Sequence, residues 1–202
     1  MGRGIPSCSP RPGGIPLILK WPLGLLLALS AGLAPAARAD EVPICYNYGC
    51  HAKAKVNFDE VQLAAFQHLL AESGDAEAER KAISMIIGRM YAIAGEQTPV
   101  WRDKGGNFAD RGEDGQMDCI DHSSNTHAFL SLLEMHGWIK FHEVLEPVRR
   151  IRFLFAVHWA ALIRDKQEQQ AYAVDSWYFD NGHPAIVITL EDWRAGKVPN
   201  GI

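Results

Sequence analysis

Three residues able to support thiol chemistry follow one another along the 202-residue chain: Cys119, His158 and Asp175. Cys119 comes directly after the polar, glycine-bearing stretch Gly112-Glu-Asp-Gly-Gln-Met-Asp118 and opens a helical pattern. Asp118 is a natural N-cap for that helix. A thiol in the first helical turn feels the positive end of the helix dipole, which favours the thiolate. A cysteine nucleophile also needs a histidine within hydrogen-bond reach and a third group to orient it. His158 lies in the otherwise apolar run Phe153–Ile163, and Asp175 in the similar run Ala171–Trp177. A carboxylate in such a setting is costly unless something satisfies it. Centring the turn between Lys166 and Gln167 sets His158 directly opposite Asp175 on one side of the sheet.

The elements that must position these groups can be read from hydropathy. Residues 40–57 read as an extended N-terminal arm. A first helix is predicted over 59–71, with Val61, Ala65, Phe66, Leu69 and Leu70 on its apolar side. A second starts at Asp75 and runs to Ala94, with Gly95 as its stop. A polar loop covers 97–118; connectors of this length are often functional. The third helix spans 119–136. Strands are expected at 138–144, 151–163, 171–177 and 185–190, with Arg164–Gln170 as a hairpin turn, and a short helix at 191–195. Helices followed by an antiparallel sheet make an α+β order, with the nucleophile helix packed on the sheet.

The chain begins with a basic, acid-free stretch, an apolar run from Trp21 to Leu33, and Ala37-Arg38-Ala39 before Asp40. That is the layout of a secretory signal peptide over 1–39. The run is short for a membrane span and is interrupted by Pro22 and Gly24. The expectation is a periplasmic or secreted protein without a stable membrane anchor, its hydrolase domain covering 58–202. Four of the 20 Lys and Arg residues lie in the leader. The remainder holds 16 against 24 Asp and Glu, a formal charge of −8. This argues against a nucleic-acid partner and, in net field, against very acidic substrates. Cys45 and Cys50 are placed to form a disulfide in an oxidising compartment. Cys119 is then the odd thiol, either buried and inert or reactive.

The local strings resemble a known family. Gly115-Gln-Met-Asp-Cys-Ile-Asp121 is similar to the Gly-Asp-Cys-x-Asp box of the bacterial transglutaminase-like cysteine peptidases, within the papain-like fold superfamily. His158-Trp159 and Val174-Asp175-Ser-Trp177 resemble the histidine and aspartate boxes. The likeness spans about residues 58–195. It implies a peptidase or amidase acting on a protein or peptide substrate through Cys119, His158 and Asp175. Some relatives bind calcium near the cysteine. Asp118 and Asp121 match the acidic flanks of the box, but Ile120 stands where relatives often carry an acid. No cofactor is otherwise required.

Further candidates fill the site. The Cys119 N–H is the natural first oxyanion donor, with Gln116 as a second. Trp101 could shape the cleft. Cys119, His122 and Asp118 or Asp121 could bind zinc, yet three convergent ligands are not evident and no CxxC pair exists. His51, His68, His136, His142 and His183 read as surface or loop residues, and His127 as a core histidine. Ser123 and Ser124 lack a G-x-S-x-G setting. Hydrolysis, acyl transfer to an amine and a non-catalytic binding domain all remain open at this stage.

Overall fold

A computed structural model describes residues 39–106, 114–152 and 156–197. The expected leader, up to Arg38, lies outside the described residues, as do residues 107–113 of the polar loop and 153–155 of the strand expected at 151–163. Among the described residues, no helix is long and apolar enough to cross a membrane.

The fold is α+β, with two antiparallel sheets. The arm over 40–57 is extended, as expected, and is folded back on itself. It is a hairpin of β1 (Asp40–Tyr46) and β2 (Ala52–Phe58), with Asp40 opposite Phe58. Alternation explains this: Val42, Ile44, Val56 and Phe58 all point inward and are buried, while Glu41, Lys53 and Lys55 face water. The hairpin therefore shares the main core.

Helix α1 (Glu60–Ala71) starts at a capping box of Asp59 and Gln62. Helix α2 (Ala76–Gln97) is capped by Asp75 and runs past the expected stop at Gly95. A Cβ on Gly95 would come within 2.6 Å of Asn181 Nδ2 and 3.1 Å of Trp101 Cβ, so this glycine allows close packing rather than ending the helix. A short 3₁₀ turn, Pro99–Arg102, opens the polar loop. Helix α3 (Cys119–Met135) follows, with Asp118 as N-cap.

The main sheet has the order β3 (His142–Arg152), β4 (Ala156–Asp165), β5 (Ala171–Asp175) and β6 (Ile186–Thr189). Helix α4 (Leu190–Ala195) closes the domain. The first strand starts and ends later than expected. The amides of Lys140, Phe141 and His142 donate to the buried Glu79 carboxylate, which ties that segment to α2 instead of to the sheet. Register slips between Leu145 and Val148, around Pro147, which has no N–H for the ladder.

The β4–β5 register also differs from the expected one. Arg164 pairs with Ala171 and Ala161 with Val174, two residues away from the expected pairing. The turn is longer because Asp165 Oδ1 accepts from Gln167 N and Glu168 N, and Gln169 takes a left-handed conformation at φ 58°. An even slip keeps His158 and Asp175 on the same face but makes them diagonal neighbours. Ala161, Ile163 and Val174 face the core shared with α2 and α3. Ala160 and Ala173 pack on Trp193 of α4, and by alternation His158 and Asp175 belong to that second face.

Candidate active site

Helix α3 begins at Cys119 because Asp118 caps it twice over. Asp118 Oδ1 accepts from Ile120 N and Asp121 N, both at 2.9 Å, and Asp118 N donates back to Asp121 Oδ2. The β1–β2 turn completes this arrangement. Asn47, Tyr48, Gly49 and Cys50 are all left-handed, with φ of 64°, 59°, 59° and 62°, and the Cys45–Cys50 disulfide closes them into one turn. That turn aims Gly49 N at Asp118 Oδ2 (3.0 Å) and Cys50 N at Asp121 Oδ1 (2.6 Å). All four carboxylate oxygens therefore accept a backbone N–H. This donor set fits a capped helix joined to a hairpin and does not fit an open cation cradle. Burial, followed by the charge of Asp118, pushes the Asp121 carboxyl up to about 6 against the lowering by its amide donors.

The structure brings Cys119, His158 and Asp175 into contact. His158 Nε2 lies 2.7 Å from Asp175 Oδ2, and the Cys119 thiol is near enough to the imidazole to help raise its pKa. With Nε2 engaged by the carboxylate, Nδ1 is the nitrogen left for the thiol. Burial works to lower the His158 pKa, but the hydrogen bond to Asp175 and the nearby Cys119 outweigh it and hold the ring up at about 9. Cys119 itself is partly exposed. Its N–H has no partner among the described residues, as expected for the first residue of a helix.

Apart from Trp177 of the aspartate box, the groups around these three are not singled out by the sequence. Trp193 Nε1 donates to Asp175 Oδ2 at 2.8 Å, and Trp177 N donates to Oδ1 at 3.2 Å. The rings of Trp177, Tyr178 and Trp193 surround the imidazole, with centroids 4.8, 5.7 and 5.7 Å away. Trp193 reaches the carboxylate from α4, an element whose position no local pattern reveals. An indole N–H is a natural partner for a buried carboxylate, and that is the signal that could have drawn attention to it.

Beneath the site lies a second polar cluster. His122, one turn after Cys119, bonds Asp103 Oδ2 through Nε2 and Ser176 Oγ through Nδ1, both at 2.9 Å. Ser176 also meets Thr126 Oγ1 (3.0 Å) and Tyr91 (3.3 Å), and Asp103 Oδ1 accepts Met117 N (2.8 Å). Asp103, His122 and Ser176 are 1%, 2% and 7% exposed, too enclosed for a substrate to reach. The cluster joins the loop before Cys119, helix α3 and the end of β5. It also corrects the zinc possibility, because both nitrogens of His122 point into this cluster.

Other expectations fall differently. Gln116 is buried, donates Nε2 to Arg102 O at 2.9 Å and accepts Lys104 N through Oε1 at 3.4 Å, so its amide binds the polar loop together. Trp101 is 60% exposed and has the Arg102 guanidinium over its ring. His142 is not a surface residue: it is fully buried, with Nδ1 2.9 Å from Glu79. His136 is partly buried and paired with Asp40. His127 keeps a buried Nδ1 without a partner.

Comparisons with protein-family models, curated proteins and solved structures return no match to this chain. The functional reading therefore rests on the geometry.

Proposed function

We propose that this chain is an exported thiol hydrolase of the transglutaminase-like, papain-like kind, cleaving peptide or amide bonds through a thioester acyl-enzyme. One observation carries the reading. His158 is held between the Asp175 carboxylate and the Cys119 thiol, and that thiol starts a helix.

In the proposed reaction the thiol proton rests on His158 Nδ1, giving a thiolate and an imidazolium. The thiolate attacks the substrate carbonyl carbon, and the Cys119 N–H is placed to donate to the oxyanion that forms. The tetrahedral species collapses, the C–N bond breaks, and the amine leaves with the proton from His158. Water then gives a proton to His158 and attacks the thioester. The carboxylic acid departs and the thiol is restored. Asp175 holds Nε2–H throughout, fixing the tautomer and balancing the imidazolium. An amine in place of water would make the same steps an acyl transfer.

The test is acylation by p-nitrophenyl acetate, followed by peptide mapping. A single acetyl adduct on Cys119, lost in His158→Ala, is the expected result. Acetylation confined to surface lysines would overturn the proposal.

A further inference from the structure

The domain is acidic overall, yet the surroundings of His158 carry positive charge. Arg150 on β3 stands directly opposite His158 on β4. It is partly buried, and its guanidinium lies over the Trp193 ring, 4.6 Å from the centroid. Its polar partners are neutral: the Trp193 carbonyl and the Tyr178 hydroxyl, the latter at 2.8 Å. Among the described residues no carboxylate pairs with it. Asp175 is already shared by His158 and Trp193, and Asp192 of α4 is taken by Lys197. Arg152 follows on the same face of β3, and its charge, like that of Arg150, reaches Tyr178.

Packing on an indole and capping a carbonyl require a long side chain with donors. They do not require a half-buried charge with no counter-ion. A guanidinium in that position has donors in a planar fork, the geometry that suits a carboxylate. We propose that Arg150 forms an anion-binding subsite beside Cys119 and His158, taking a substrate carboxylate close to the scissile bond. This rests on the thiol-hydrolase reading above and adds a substrate class to it. The carboxylate is either an acidic side chain or the free C-terminus of a peptide.

Two alkylating agents test the subsite without a known substrate. Iodoacetate carries a carboxylate and iodoacetamide does not, and both alkylate a thiol. The readout is the ratio of their rates at Cys119 in the purified protein, in Arg150→Gln and in Arg150→Lys. The ratio should exceed that of free cysteine, fall about tenfold in Arg150→Gln as one nearby charge is lost, and be largely kept in Arg150→Lys. In the wild-type protein it should also fall as salt rises, a measurement that needs no variant to fold. A ratio equal in wild type and Arg150→Gln and insensitive to salt would overturn the subsite. Iodoacetamide reacting at mildly acidic pH no faster than with free cysteine would instead overturn the hydrolase reading. Protection of Cys119 then separates the two sources. Acetyl-glutamate amide mimics the acidic side chain, acetyl-alanine the free C-terminus, and acetyl-alanine amide is the uncharged control. Protection by either charged compound above the control supports the subsite and identifies its carboxylate; equal protection by all three counts against it.

Discussion

Replacing Asp103 by alanine should destabilise the domain severely, and replacing it by asparagine should not. The carboxylate accepts Met117 N through one oxygen and His122 Nε2 through the other, and all three residues are essentially inaccessible. Alanine leaves two buried donors without acceptors, each costing about 1–3 kcal/mol, so a total of about 3–5 kcal/mol is expected. In a domain of this size that is roughly a 10 °C fall in Tm. Asparagine keeps the acceptor for Met117 N and turns an amide N–H toward His122. The imidazole can then accept that N–H at Nε2 and donate from Nδ1 to Ser176 Oγ. The expected loss is then only about 1 kcal/mol, a hydrogen bond's net worth. Urea unfolding measures both, with the slope checked for constancy so that midpoints compare directly. Because Met117 lies two residues before Cys119, Asp103→Ala should also slow iodoacetamide alkylation more than Asp103→Asn does. Equal urea midpoints for the two variants would refute the argument that this cluster is a set of mutually dependent buried hydrogen bonds.

Three other perturbations have defined outcomes. Glu79→Ala removes the acceptor for Lys140 N, Phe141 N, His142 N and His142 Nδ1, and should lower stability by about 3–5 kcal/mol in urea; a loss under 1 kcal/mol would show that water replaces it. The raised His158 pKa means the folded protein holds more protons than the unfolded chain between the ordinary value near 6.5 and about 9. That stabilisation is complete below about pH 6.5 and is lost as pH rises to about 9, so unfolding free energy should fall across this window and the slope should flatten in His158→Ala. Trp193→Phe keeps a ring against His158 but removes the Nε1 donor to Asp175. Alkylation of Cys119 at mildly acidic pH should slow about fivefold, the equivalent of one hydrogen bond; an unchanged rate would mean that the indole N–H does not support the carboxylate.

Much of the α+β frame was legible in the sequence because its signals are local. Asp75 and Asp118 cap α2 and α3 as expected of Asp before a periodic run, while Asp59, read as the first residue of its helix, turns out to cap α1. The β4–β5 register was not, since the Asp165 turn lengthens the hairpin through hydrogen bonds that no pattern of apolar residues encodes. Even so, His158 and Asp175 meet, because a two-residue slip preserves the face. The arm at 40–57 reads as extended in the sequence, but its pairing into a hairpin does not. What makes it a strand pair is burial of Val42, Ile44, Val56 and Phe58 against distant elements. Trp193, Asp103 and Ser176 are far from Cys119 in sequence, and their roles arise from tertiary placement alone. His142 reads as a surface residue in the sequence because Glu79, the buried partner that satisfies its ring, lies far away along the chain on helix α2.

The most direct test of the central claim is the pH dependence of Cys119 alkylation by iodoacetamide in the purified protein and in His158→Ala. The account predicts rapid alkylation in mildly acidic buffer for the wild type, where His158 is protonated and paired with a thiolate. In the variant the profile should shift toward that of an ordinary thiol, titrating near about 8.5. Profiles that coincide at the ordinary thiol position would contradict it and leave Cys119 as a structural cysteine.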